Sequence, residues 1–314
     1  SFLSVSPAQA ATLYFDTNGA TAGYGVYTGS NLAAGNWATS DGGTSATDTW
    51  AVQNGVATNN DVVFTVGETT FGNNNQYITS GTLTQWDIRN ITWRADTVAP
   101  TTSRNNVGLN LEGKTLTFAS GATIVVGDVY SSGSVDLTIS NAAMIGNVTK
   151  TGAGGLQFRG STVNGTLTIN QGLFFNEAPD PTLSTAGILN LGANGTWMMG
   201  WAGGASAVKT HTIGGLEGTG TVDRGSGNAS ATHVINIAGS GTHTFSGTFV
   251  NSGSHTLSVT KSGAGTQIFS GAGIVYDGDT VVEGGTLLVN ATHAPKAGRG
   301  YTVENGGTLG GTGT

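Results

Sequence analysis

Residues 257–290 read LSVTKSGAGTQIFSGAGIVYDGDTVVEGGTLLVN, and this stretch is the clearest guide to the fold. Apolar residues alternate with threonine or serine, as at Leu257 and Val259, and again near the end at Leu287 and Val289. Glycines bound each alternating piece. Alternation with a period of two over about five residues is typical of strands with one buried face. The stretch therefore predicts short strands joined by glycine turns.

A second stretch repeats the first with small differences. Residues 150–176 read KTGAGGLQFRGSTVNGTLTINQGLFFN, with the same Lys-x-Gly-Ala-Gly start and the same ending, an apolar strand followed by asparagine. Phe158 and Phe269 stand at the same offset from the lysine. Repeats at roughly 20 to 30 residues favour a solenoid whose coils stack on a shared core. We expect an all-β fold, a parallel β-solenoid; a β-sandwich is the alternative, because Asn-Gly and Asp-Gly hairpin signals also occur.

The Lys-x-Gly-Ala-Gly run has two chemical interpretations. A phosphate-binding loop places its lysine after the glycines and a helix behind them. Here the lysine comes first, a strand pattern follows, and the run occurs twice. We therefore interpret the run as a coil corner with a solvated ammonium group and glycines in positive-φ turns. The corner residues are Lys150, Gly152, Gly154, Lys261, Gly263 and Gly265.

The composition disfavours several classes of protein. The chain has 53 glycines, 37% hydrophobic residues, 9% charged residues and no cysteine. Disorder is not expected, because disordered chains combine low hydrophobicity with high net charge. The net charge of −7 and the lack of a basic patch argue against a nucleic-acid partner. No apolar run approaches the roughly 20 residues that span a bilayer, so we do not expect a membrane-spanning protein. Without cysteine, disulfides and zinc–thiolate sites are excluded.

Three regions differ in composition. Residues 1–11 fit either the end of a secretory signal peptide, with Ala-Gln-Ala as a cleavage site, or an N-terminal assembly strand. Residues 12–110, which are rich in tryptophan, are predicted to form a β cap at the N-terminal end. Residues 111–314 carry the β-solenoid repeats. The last part, GGTLGGTGT at 306–314, has no charged or proline-rich cap, so we expect either a truncated chain or a second molecule that covers this end.

One segment of the repeat region carries a family resemblance. Residues 242–271, THTFSGTFVNSGSHTLSVTKSGAGTQIFSG, and less closely residues 147–176, are similar to the autotransporter-associated β-strand repeat of large secreted bacterial surface proteins. The resemblance extends over about residues 113–314, and the N-terminal third matches only in general style. It implies a right-handed parallel β-helix outside the bacterial cell that serves as a stalk, an adhesin or a surface fibre.

The sequence predicts an extracellular structural protein that assembles with itself. A low-charge, threonine-rich surface does not repel copies of the chain, and head-to-tail contacts that fail to close generate filaments. In one version, the N-terminal segment adds as a strand to the open end of the next subunit. We expect no enzyme activity and name no catalytic residue. The apolar residues buried by such assembly would be Phe2, Leu3, Val5, Leu13 and Phe15.

Two other functions remain open from the sequence. One is a non-polymeric adhesin that binds glycans or matrix on tryptophan platforms. The other is a polysaccharide lyase or hydrolase built on a β-helix, which needs paired carboxylates or calcium. Asp277 and Asp279 form the best local pair and a weak calcium candidate, although solvated turns explain them more simply. The candidate platform residues are Trp37, Trp50, Trp197 and Trp201.

The histidines fit no local zinc motif. His233, His243 and His255 would meet on successive coils only if one coil had about ten to twelve residues, which is short for such a fold. We therefore expect the histidines to lie on the surface or to form a ladder along stacked coils.

Overall fold

The computed structural model describes most of the repeat region and parts of the N-terminal third. The described residues are 11–18, 27, 30, 32, 36–39, 41, 60–66, 77–83, 85–95, 108–127, 135–177, 182–199, 208–225, 231–250, 255–293 and 298–314. Every regular element found within them is a strand, which confirms the predicted all-β class. The same residues contain no helix of the length and apolar character that crossing a membrane requires.

Short strands follow one another along the chain, as the alternating pattern predicts. The first are β1 (Thr12–Phe15), β2 (Trp37–Ala38), β3 (Asp61–Val66), β4 (Tyr77–Thr79), β5 (Gln85–Ala95), β6 (Gly108–Asn110), β7 (Thr115–Val126), β8 (Val135–Ser140), β9 (Ala143–Ile145), β10 (Val148–Thr151), β11 (Gly155–Arg159) and β12 (Thr162–Asn164). The others are β13 (Thr166–Glu177), β14 (Thr182–Met198), β15 (Val208–Gly218), β16 (Thr221–Asp223), β17 (Thr232–Ile237), β18 (Thr242–Phe245), β19 (Thr248–Val250), β20 (Thr256–Lys261), β21 (Thr266–Phe269), β22 (Thr280–Val282), β23 (Gly285–Val289), β24 (Tyr301–Val303) and β25 (Gly307–Gly310).

The strands stack as parallel ladders, one coil on the next. In the C-terminal part, β15, β17, β20, β22 and β24 form one stack. A second stack consists of β18, β21, β23 and β25. Of the strand pairs in the described ranges, only β1 with β2 is antiparallel. This arrangement is consistent with the predicted β-solenoid and unlike a β-sandwich, which is built from antiparallel strands.

The number of residues between the partners of hydrogen bonds that join successive coils gives the length of one coil. The Thr138 hydroxyl donates to Gln157, 19 residues further along. Asn236 donates to the hydroxyl of Thr212, 24 residues earlier, and accepts from Ser262, 26 residues later. These intervals agree with the coil length of roughly 20 to 30 residues that the sequence repeats indicate.

Alternate residues of each strand point inward and form apolar columns. In Thr232–Ile237, partly exposed and buried residues alternate at every position. Leu167, Leu189 and Leu216 are paired neighbours on successive coils, and all three are fully buried. Burying one leucine side chain contributes about 1.5–3 kcal/mol. Each column repeats this contribution coil after coil, which favours the observed register.

Aromatic rings fill the core at the N-terminal end. Phe15 makes edge-to-face contacts with Tyr27 and Trp37, at ring-centroid distances of 5.0 and 5.1 Å. Phe64 contacts Phe15 and also Trp93, at 5.4 and 5.5 Å. All five rings are buried. Packing therefore explains the aromatic composition of this region, since such ring pairs contribute about 0.5–1.5 kcal/mol each beyond their buried area.

Leu13 and Phe15 belong to this core, which departs from their expected role as assembly residues. Their strand, β1, pairs with β2 and with β3. Leu13 is 7% exposed and Phe15 is 0% exposed. Because both side chains are buried within their own chain, they are not available to a neighbouring subunit in this structure. Phe2, Leu3 and Val5 lie outside the described residues.

Candidate functional site

The two corner lysines are buried, although their charge predicts solvated ammonium groups. Lys150 is 0% exposed and Lys261 is 1% exposed. Lys150 pairs across the ladder with Ile124 and Ile169, which are both fully buried. The expectation was wrong because the position of a residue along its strand, and not its charge, decides which face its side chain takes.

Each buried ammonium group joins two successive coils. In both corners, the lysine Nζ donates to a carbonyl oxygen of its own corner and to another on the following coil. The acceptors are Gly152 and Gln171 for Lys150, each at 2.6 Å, and Gly263 and, at 3.4 Å, Gly284 for Lys261. We call this arrangement the lysine clamp. It satisfies carbonyl groups at the corners, where the ladder of backbone hydrogen bonds is interrupted.

Burial changes the acidity of the clamp lysines. It lowers the pKa of Lys150 to about 8, against the opposing effect of the Asp136 carboxylate. Burial also lowers the pKa of Lys261. Asp136 is itself buried and accepts a hydrogen bond from the Gly155 amide at 2.7 Å. Since Lys150 is inaccessible to solvent, its lowered pKa fits a structural group and not an attacking amine.

The corner glycines are needed for two different reasons. Gly152 has a φ of 81°, as expected for a positive-φ turn. Gly154, Gly263 and Gly265 do not have a positive φ, which corrects the sequence expectation for these three. A Cβ atom at any of them would lie 2.1–2.2 Å from a backbone oxygen of the preceding coil. These three positions are glycine because the neighbouring backbone approaches too closely for a side chain.

Asp277 and Asp279, the calcium candidates, each pair with an arginine. Asp277 accepts from Arg224 at 2.8 Å and from the Leu257 amide at 3.1 Å. Asp279 accepts from Arg299 at 2.7 Å. Throughout the described ranges, no group of three histidine, aspartate or glutamate residues is placed to hold a metal ion. A calcium site at this pair stays a prediction, and the arginine contacts give both carboxylates a structural role.

These two ion pairs predict unequal effects of charge removal. In the first pair, the side chains of Arg224 and Asp277 are 8% and 22% exposed, whereas in the second, Arg299 and Asp279 are 47% and 45% exposed. Asp277→Asn is expected to destabilise the chain by about 1–2 kcal/mol, because it weakens the compensation of a largely buried guanidinium. Asp279→Asn should change stability by less than about 0.5 kcal/mol. Urea denaturation of both variants measures the difference. A larger loss for Asp279→Asn would contradict it.

The described tryptophans among the glycan-platform candidates lie in the core. Trp37 is 3% exposed and donates its indole hydrogen to the Leu32 carbonyl at 2.8 Å. Trp197 is 0% exposed. A ring without an exposed face cannot stack on a sugar, so neither serves as a platform in this structure. Trp50 and Trp201 lie outside the described residues.

Three histidines form a buried ladder along successive coils, which is one of the two placements that the sequence predicts. His211, His233 and His255 are all 0% exposed and lie on successive coils. His243 instead contacts Glu217 at 2.8 Å. His243 lies outside the ladder because only ten residues separate it from His233, well short of one coil. The signal that identifies the ladder is the interval of 22 residues between its members, which is close to one coil.

In the coil formed by β24 and β25, two apolar side chains are exposed at positions that are buried in the coil before it. Val303 follows Val282 in one column, and Leu309 follows Leu287 in another. Val282 and Leu287 are fully buried, whereas Val303 is 47% exposed and Leu309 is 36% exposed. A hollow of about 250 Å³ lies beside Leu309 and Tyr301. We call β24 and β25, with these exposed residues, the terminal face.

The terminal face presents the outer edges of β24 and β25. β24 pairs with β22 and β25 with β23, and no other described strand pairs with their outer edges. Unpaired backbone groups beside apolar side chains favour the addition of further strands. A further coil would stack on these edges, whether it belongs to this chain or to another copy.

Comparisons of the chain with protein-family models, with curated proteins and with solved structures find no match. The similarity to the autotransporter-associated repeat thus rests on the repeat residues alone.

Proposed function

We propose that this chain is an extracellular structural protein whose coils form a right-handed parallel β-helix and stack head to tail with copies of the chain into a surface fibre. The observation that carries the proposal is the parallel stacking of coils on shared apolar columns, such as the fully buried Leu167, Leu189 and Leu216. On the terminal face, Val303 and Leu309 continue two further columns that are fully buried one coil earlier. A further coil on this face would bury them in the same way.

The free energy of association between two copies would come from the same kinds of contact that join successive coils within one chain. Association has to overcome about 4–15 kcal/mol of lost translational and rotational freedom. Two apolar side chains contribute only a few kcal/mol of this. The backbone edges of β24 and β25 supply the rest, since a new coil would pair with both strands at once, as β24 and β25 pair with the coil before them. A head-to-tail contact of this kind does not close on itself and produces a fibre.

Composition and burial favour a structural role outside the cell. Charged residues make up only 9% of the chain. Like charges in register would repel along stacked coils about 4.8 Å apart. The lysines, carboxylates and described tryptophans that suggested other functions lie buried in the core or in ion pairs. The similarity to a repeat of secreted bacterial surface proteins supports the extracellular location.

Blocking the terminal face should abolish assembly. Val303→Lys and Leu309→Lys each place a charge in a column that the next coil would have to bury, which is strongly unfavourable. The unchanged protein should form fibres with an axial repeat on the order of 60 Å, from roughly 25 residues and about 4.8 Å per coil. Both variants should remain single rods. Negative-stain electron microscopy and sedimentation velocity distinguish fibres from single rods.

A matched control separates the terminal face from general surface effects. Val208 is 65% exposed and pairs with Thr232, so it faces outward on the side of the stack. Val208→Lys should leave fibre formation intact, and circular dichroism should show equal β content in all variants. The proposal fails if the unchanged protein stays as single rods at every concentration. It also fails if Val208→Lys blocks assembly as strongly as Val303→Lys.

A further inference from the structure

A stack of buried imidazole rings crosses three successive coils. Trp197, His211, His233 and His255 follow one another, with ring-centroid distances of 5.8, 5.2 and 5.2 Å. All four residues are 0% exposed. We call them the histidine column. The proposed structural function does not require titratable residues at these core positions.

Hydrogen bonding indicates that the imidazoles of the histidine column are neutral. His211 Nε2 and His233 Nδ1 lie 2.9 Å apart, so one of these nitrogens donates and the other must be unprotonated. His255 Nδ1 accepts from the Ala231 amide at 2.9 Å, so it too carries no proton. The other ring nitrogens, His211 Nδ1, His233 Nε2 and His255 Nε2, have no hydrogen-bond partner within the described residues. An added proton would therefore create a buried cation without a new acceptor.

The charged groups near the histidine column are cationic. Burial lowers the pKa of His211 well below its usual value, with further lowering by His233 and Lys209. Burial lowers the pKa of His233 to about 4, helped by His255, Lys209 and Arg224. Burial, Arg224 and Lys209 lower the pKa of His255. These cations come from β15, which carries Lys209, and from the residue after β16, Arg224.

The carboxylate that contacts Arg224 already has two hydrogen-bond partners. Asp277 pairs with Arg224 at 2.8 Å and accepts from the Leu257 amide. On the other packed elements, β14 supplies the uncharged Trp197, and β17 and the residue before β20 supply His233 and His255. By contrast, His243 contacts Glu217, and His293 contacts Tyr301 and the Tyr276 carbonyl. Only the column histidines combine full burial with unpartnered ring nitrogens in the described chain.

We propose that the histidine column makes the coils of β15, β17 and β20 an acid-opened joint, which unfolds locally on acidification while the coils of β7, β10 and β13 stay folded. An unfolded histidine has a pKa of about 6.5. Since the folded values are lower, the unfolded segment binds more protons below that pH. The stability due to neutral, buried histidines is thus fully present above about pH 6.5 and is lost as the pH falls toward about 4.

Hydrogen–deuterium exchange of the full chain tests the joint directly. Protection factors, corrected for the pH dependence of intrinsic exchange, are compared at about pH 7.5 and about pH 5. Peptides that cover β15, β17 and β20 should lose at least about tenfold protection at the lower pH. Peptides that cover β7, β10 and β13 should keep theirs. Uniform loss along the chain, or no loss in the column coils, would overturn the proposal.

Two further measurements link the opening to the histidines. His233→Phe keeps a ring of similar size and removes one titrating group, so its protection at about pH 5 should fall less than that of the unchanged chain. His243→Gln, at a histidine outside the column, should behave like the unchanged chain. Because His233→Phe could fail to fold, histidine NMR of the unchanged protein gives an independent result. Column imidazoles that titrate near pH 6.5 without loss of structure would contradict the acid-opened joint.

Discussion

Replacing Gly265 by alanine is expected to destabilise the surrounding coils by at least about 3 kcal/mol. A Cβ atom at this position would lie 2.2 Å from the carbonyl oxygen of Gly241 and 2.8 Å from its amide nitrogen. Those atoms are backbone of the preceding coil. That coil is held in place because the Gly265 amide donates to the Gly239 carbonyl oxygen and the Thr266 amide donates to the Gly241 carbonyl oxygen. The added methyl group can fit only if two coils move apart.

Gly300→Ala is the matched control for this prediction. No atom lies within 4 Å of a Cβ at Gly300, and its φ is not in the left-handed region. Alanine should therefore be neutral there or stabilise by about 0.4–1 kcal/mol, because it restricts the unfolded chain. Exchange protection of β20 and β21, together with urea denaturation, measures both variants. Equal stability of Gly265→Ala and Gly300→Ala would show that the coils are not in close backbone contact at this corner.

The fold class could be predicted because strand alternation and coil repetition are local properties of the sequence. The letters of Thr232–Ile237 alone indicate a half-buried strand, and the segment is one. The close approach at Gly263 and Gly265 could not be predicted in the same way. It depends on which residues of the preceding coil lie opposite, and that register is set by coil lengths that vary from 19 to 33 residues.

For the buried lysines, strand alternation predicts the correct position, but the prediction from charge was preferred. Leu257, Val259 and Lys261 have the same parity along β20, and all three are buried. The alternation that correctly predicted Leu257 and Val259 as inward also predicts Lys261 as inward. Charge suggested the opposite, because lysine is rarely buried without partners. The partners are backbone carbonyl oxygens of two coils, which no sequence pattern reveals.

The histidine column and the tryptophans needed three-dimensional register. The interval of 22 residues between His211 and His233 has meaning only when one coil is known to have nearly that length. Trp197 belongs to this column, and its assignment to a glycan surface from composition could not reveal that it packs against His211. The sequence shows the histidines and the tryptophans, but the role of each depends on neighbours that only the three-dimensional register brings together.

The lysine clamp predicts that the chain becomes more stable on mild alkalinisation. The pKa of Lys150 is about 8 in the folded chain, against about 10.4 for an unfolded lysine. Between these values the unfolded state binds more protons, so stability rises with pH. From near pH 7 to near pH 9.5 the gain from Lys150 is about 2 kcal/mol. The neutral amine keeps two hydrogens, enough for the carbonyl oxygens of Gly152 and Gln171.

Urea denaturation at the two pH values measures this gain in stability. The higher pH is kept below the range in which tyrosine ionises. Burial raises the pKa of Tyr276, so above about pH 10 ionisation of the unfolded tyrosine favours unfolding and opposes the lysine effect. Lys150→Met should remove the larger part of the gain, and combining it with Lys261→Met should remove nearly all of it. Lys114→Met, at a partly exposed lysine, should leave the gain unchanged. A stability that is flat or falls between these pH values in the unchanged chain would mean that the corner lysines are solvated, as their charge alone suggested.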